Sequence, residues 1–145
     1  MSRSQQALCV FYALVSIAAL FATWSQNLSY GAPNPLDTFG AFIEGAKVNP
    51  ASRSITVDIG FFLLAAAAFM VSEARRLGVR FVWLYVLFGF LVAISVTFPL
   101  FMIAREMRLA KGPDAAAPLR LTVTDILGLT VTAGLVLALC FHVLS

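Results

Sequence analysis

Four long apolar stretches, at about residues 7–24, 54–73, 81–104 and 121–143, are separated by polar connections. Each approaches the roughly 20 residues that cross about 30 Å of hydrocarbon at 1.5 Å per residue, so each predicts a transmembrane helix. The fold class is all-α: an integral membrane bundle of four transmembrane helices, one domain over residues 1–145, with a short interfacial helix in the first loop.

The first stretch follows Met1-Ser-Arg-Ser-Gln-Gln, the positive start that signal peptides and signal anchors share. No small-x-small cleavage site precedes a polar segment, which predicts a retained helix with Trp24 marking its interface. In the long connection 25–53, Asn34-Pro35 and Asn49-Pro50 each join a helix-capping residue to the residue best tolerated at the first helical position. Leu36, Phe39, Phe42 and Ile43 between them recur at helical spacing, which suits a helix lying on the bilayer surface. Gly40 and Gly45 weaken such a helix, and a loop folded over the bundle is the alternative.

The second stretch runs into Glu73-Ala74-Arg75-Arg76-Leu77-Gly78-Val79-Arg80, which reads as a structural hairpin. Gly78 supplies a left-handed cap, Arg75 and Arg76 suit a helix C-terminus, and Glu73 is placed to pair with Arg76 or Arg80. The third stretch carries Trp83 and Tyr85 at one end and Phe98-Pro99 at the other, where Pro99 predicts a kink. Gly89, Ala93 and Thr97 form one small-residue stripe. Gly128 with Thr132, and Thr130 with Gly134 and Ala138, form others on the fourth stretch; such faces predict close helix packing.

Composition narrows the environment. The chain is 61% hydrophobic and 12% charged with a mean hydropathy of +0.92, against about 25% charged residues in soluble domains, and it has too little polar surface to cover a water-soluble fold. At this length there is no room for a second domain to host a nucleotide or large substrate. The net charge of +3 is spread over short connections, so no nucleic-acid partner is implied. Cys9 and Cys140 lack the spacing of a metal or redox pair and read as buried packing residues. HExxH, CxxC, P-loop, GxSxG and dinucleotide motifs are absent, so no cofactor or metal is expected and a hydrolase or kinase has no support.

With four crossings, Arg3, Arg75, Arg76 and Arg80 share one side, while Lys47, Arg53, Arg105, Arg108, Lys111 and Arg120 share the other. The positive-inside rule is then nearly balanced, with a slight preference for the N-terminus inside because the hairpin arginines are concentrated.

Ionisable residues inside spans are costly and point to function. Asp58 and Asp125 each lie about one turn inside a span that starts on the same side, beneath Arg53, Arg105, Glu106 and Arg120. These six are the ligand-binding candidates, in one polar pocket able to bind a cation, pass a proton or grip the polar end of a lipid-like molecule. The alternative is that each aspartate sits in a first turn, favoured by the macrodipole and paired with an arginine.

Asn49-Pro50, Asp58, Glu73-Ala74-Arg75-Arg76-Leu77-Gly78, Trp83-Leu84-Tyr85 and Phe98-Pro99-Leu100-Phe101 before Arg105-Glu106 resemble a small bacterial membrane family known as domain of unknown function 2834, over roughly residues 7–110. The resemblance implies a multi-span protein of the bacterial inner membrane and supplies no reaction. The Asp58 helix and its arginine hairpin also bear a distant likeness to plant membrane proteins that form the carotenoid neoxanthin. Those carry a histidine before the equivalent aspartate and Gly-Arg-Trp after it, where this chain has Ile55 or Thr56 and then Phe62-Leu63-Leu64. That likeness implies a bundle that handles isoprenoid-like molecules.

Three readings follow. The first is a small binding or accessory membrane protein for a hydrophobic ligand or partner subunit. The second is an isomerase-like enzyme acting on a carotenoid or other isoprenoid through Asp58. The third is a homo-oligomeric ion or proton pathway through Asp58 and Asp125.

Overall fold

The computed structural model describes residues 1–31, 34–112 and 121–144. Six α-helices follow one another among them: α1 (Arg3–Asn27), α2 (Pro35–Gly45), α3 (Pro50–Leu77), α4 (Val82–Leu91), α5 (Ile94–Leu109) and α6 (Val123–Leu144), with a 3-10 turn at Leu28–Tyr30 after α1. No strand occurs among the described residues.

Local chemistry sets several helix ends. The Ser2 hydroxyl accepts from the Gln5 N–H at 3.2 Å and the Gln5 side chain accepts from the Ser2 N–H at 2.8 Å, a reciprocal cap that opens α1. Asn49 accepts from the Ser52 N–H at 2.9 Å and Pro50 takes the first helical position of α3. Gly78, at φ 67°, closes α3 in the left-handed region. The expected helix in the first loop is present as α2, with Tyr30 edge-on to Phe42 at 6.1 Å.

Three segments are long and apolar enough to cross a membrane: Arg3–Tyr30, Pro50–Leu77 and Val123–Leu144. The third apolar stretch departs from expectation. Instead of one rod over 81–104, it is α4 and α5 folded back on each other at Val92 and Ala93. The Tyr85 and Phe101 rings stand 5.7 Å apart, whereas sixteen residues of continuous helix would separate them by about 24 Å. A Cβ on Gly89 would lie 2.9 Å from the Thr97 hydroxyl, so the small residues of the supposed stripe face one another across the hairpin. The interruption falls before Pro99, which lies inside α5. Ala93, at φ 179° and ψ 139°, is simply extended.

The hairpin fills the space between α1 and α3. Ala66, Met70 and Ala74, one stripe of α3 at four-residue spacing, pack with Val82, Ile94 and Phe101; Met70 and Phe101 are fully buried. On the other flank α1 runs antiparallel to α5. The Ser16 hydroxyl donates to the Val96 carbonyl at 2.9 Å and the Trp24 indole N–H to the Val92 carbonyl at 3.3 Å, near the hairpin tip.

Beyond this unit α6 buries no residue, and Gly128 and Gly134 have nothing within 4 Å of a notional Cβ. The expected packing of its small-residue stripes is therefore not made among the described residues. Thr130 and Thr132 instead donate to the carbonyls of Ile126 and Gly128 on α6 itself. Cys9 and Cys140 are half-buried rather than buried.

Candidate functional site

The fold-back brings the end of α5 to the end of α3 and the start of α1. Arg105 Nε donates to Glu73 Oε2 at 2.7 Å, and its Nη1 donates to Glu106 Oε1 at 2.9 Å. Glu73 is also gripped by Arg76, with Nε at 2.8 Å and Nη2 at 3.0 Å. Glu106 is only 3% exposed, so its charge depends on Arg105 for compensation. Cys9 and Tyr12 of α1 lie within electrostatic reach of Glu106. Four charged side chains thus tie the ends of α3 and α5 together at one end of the unit, beside the start of α1.

The residues singled out from the sequence are distributed differently. Asp58 lies on an exposed face of α3, fifteen residues or about 22 Å along the helix from Glu73. Asp125 is fully exposed and caps the start of α6, accepting from the Thr122 N–H at 2.8 Å and the Thr122 hydroxyl at 2.7 Å. The start of α6 sits near the start of α1, where the Ser4 hydroxyl accepts from the Leu121 N–H at 3.3 Å. Asp125 is therefore at the Glu73 end and Asp58 toward the opposite one, and no shared pocket forms. Reading 81–104 as a crossing reversed the ends: Arg105 and Glu106 join the Glu73 hairpin instead of lying above Asp58. Arg53 donates to the Lys47 carbonyl at 3.0 Å, at the far end with Asp58. Arg120 lies outside the described residues. Of the hairpin residues, Glu73 and Arg76 enter the charged cluster, Arg75 is exposed, and Gly78 makes the turn.

Sequence reasoning missed the Glu73–Arg105 pair, thirty-two residues apart, and the polar face of α1. That face carried a signal: Gln5, Cys9, Tyr12 and Ser16 recur at helical spacing in an otherwise apolar helix, and Gln5 and Ser16 are buried.

Two apolar grooves flank the hairpin. One, about 570 Å³, lies between α3 and α4 from Gly60 to Phe90. The other, about 490 Å³, runs between α4, α5 and Leu20 of α1, lined by Leu84, Phe88, Val96 and Leu100 and reaching Arg80 and Phe81 at its charged end. A third crevice, about 430 Å³, adjoins it and is shared by Arg75, Gly78, Arg80 and Phe81. Phe81, at φ 59°, holds a left-handed conformation unusual for a residue with a side chain and lines both spaces.

Residues 11–107 match the family described as protein of unknown function DUF2834. The chain belongs to that family. The DUF2834 match spans nearly all of the packed unit, including Glu73, Arg76, Arg105 and Glu106, and ends before α6. Neither curated proteins nor solved structures give a match.

Proposed function

We propose that this DUF2834 protein is a small integral protein of the cell membrane that holds a hydrophobic ligand along its α4–α5 hairpin. Three helices cross the bilayer on this reading, and the hairpin enters and leaves by the same face. The carrying observation is the pair of apolar grooves, about 570 and 490 Å³, beside the hairpin; pockets of about 300–1,000 Å³ suit small-molecule ligands.

The hairpin also changes the charge balance. Arg3, Arg75, Arg76, Arg80, Arg105, Arg108 and Lys111 belong to one end, and Lys47 and Arg53 to the other. Among the described residues, seven basic residues against two favour, by the positive-inside rule, an arrangement with the Glu73–Arg105 end in the cytoplasm. A route for ions or protons through Asp58 and Asp125 together gains no support from residues at opposite ends, and an isomerase based on Asp58 gains none from an exposed aspartate outside both grooves.

Purification in mild detergent, with mass spectrometry of everything retained, tests the reading. The expected result is an apolar or amphipathic small molecule at about one per chain. A protein carrying no such molecule contradicts it, and a polypeptide retained at fixed stoichiometry in its place would favour the accessory-subunit role.

A further inference from the structure

The arginines at the cytoplasmic end divide into two kinds. Arg76 and Arg105 are both committed to Glu73, and Arg105 also to Glu106. Arg75 and Arg80 have no carboxylate at ion-pair distance among the described residues, and both are exposed. Two carboxylates therefore balance two guanidiniums, and the excess positive charge of the hairpin is carried by Arg75 and Arg80.

These two arginines stand at the mouth of an apolar groove. Arg80 lines both the 490 Å³ groove and the adjoining crevice, and Arg75 lines the crevice. From Arg80 the groove follows α4 for its ten residues, about 15 Å, toward Val92 and the hairpin tip. One end is cationic and near the membrane surface; the rest is aliphatic and aromatic and descends toward the membrane interior. That polarity matches an amphiphile with an anionic head and a hydrocarbon tail. A neutral isoprenoid would leave the arginines without a partner, and a soluble anion would leave the groove unfilled.

We infer that the groove between α1 and the α4–α5 hairpin is a binding site for an anionic phospholipid, with its phosphate on Arg75 and Arg80 and one acyl chain along Leu84, Phe88 and Val92. Basic pockets between helices on the cytoplasmic side suit anionic head groups. The inference rests on the ligand-binding reading above and names the class of ligand.

The test uses the full chain in nanodiscs of equal phosphatidylglycerol and phosphatidylcholine, released for native mass spectrometry. The expected result is one retained phosphatidylglycerol per chain, preferred over phosphatidylcholine by about thirtyfold, as two basic residues near a surface would give. The double substitution Arg75→Gln with Arg80→Gln abolishes that preference, and both positions are exposed, so folding is retained. Arg108→Gln removes a charge from the same end, outside the groove, and leaves the preference intact. Leu84→Trp fills the groove and lowers retention of the phospholipid. Equal retention of the two lipids, or an equal loss in Arg108→Gln, overturns the inference. Retention of a neutral apolar molecule in place of phosphatidylglycerol overturns it while leaving the ligand-binding reading standing; a wild-type protein that retains nothing removes both.

Discussion

Helices α5, of 16 residues, and α6, of 22, are opposite in fate. α5 contains Thr97, Pro99, Arg105 and Glu106, the more polar sequence of the two, yet it sits at the centre and buries six residues. α6 has an almost unbroken apolar sequence and buries none. In water this order would be reversed, because apolar area drives burial. In a bilayer lipid solvates apolar side chains as well as protein does, so polar groups and close backbone contact decide what is inside. The contrast is the one expected of helices in a bilayer, and it separates α1, α3, α4 and α5, which pack together, from α6, which buries nothing.

The sharpest way to break this comparison is at the charges. Arg105→Leu should destabilise the packed unit by about 3–5 kcal/mol, because it leaves Glu106 buried without its counter-charge. Asp125→Asn on α6 should leave stability nearly unchanged, because the carboxylate is fully exposed and asparagine caps a helix about as well as aspartate. Denaturation in mixed micelles measures both, and comparable losses would contradict the division.

Close approach gives the next contrast. Gly89→Val should cost about 1–3 kcal/mol through overpacking, since even a Cβ there meets Thr97, Ile94 and Leu63 at 2.9–3.4 Å. Gly128→Val faces open space and should stay within about 0.5 kcal/mol, the range of substitutions away from packed features. In the same assay, equal effects would mean that α6 packs as tightly as the hairpin.

Side-chain hydrogen bonds supply a smaller effect. Ser16 bonds across helices to Val96, whereas Thr130 bonds within its own helix. Ser16→Val should lower stability by about 0.6–1.7 kcal/mol, and Thr130→Val should leave it nearly unchanged. Smallest of all, deletion of 113–145 should leave the unfolding midpoint of the remaining chain where it was, read by circular dichroism in detergent; collapse of the helical signal would show that α6 is integral to the core.

Much of the architecture was legible in the sequence. The apolar stretches located α1, α3 and α6, Asn49-Pro50 located the start of α3, Gly78 its end, and the Phe39–Phe42–Ile43 spacing located α2. The fold-back was not legible, because Leu91-Val92-Ala93-Ile94 contains neither glycine nor proline and Ala93 adopts a conformation open to any residue. Hydropathy reports length and greasiness, and two short apolar helices joined by two apolar residues read as one long one. The site followed from that error. Asp58 and Asp125 drew attention as charges within spans, but their environment depended on which end each helix began. Glu73 and Arg105 meet only because α5 returns to the side it left.

The return of α5 is tested most directly by the sidedness of single cysteines in inverted and right-side-out vesicles. With Cys9 and Cys140 replaced by alanine, Arg80→Cys and Lys111→Cys should react with an impermeant maleimide from the same face, and Lys47→Cys from the other. Labelling of Lys111→Cys together with Lys47→Cys, and opposite to Arg80→Cys, would mean that 81–104 crosses the bilayer, and the Glu73–Arg105–Glu106 cluster would not exist.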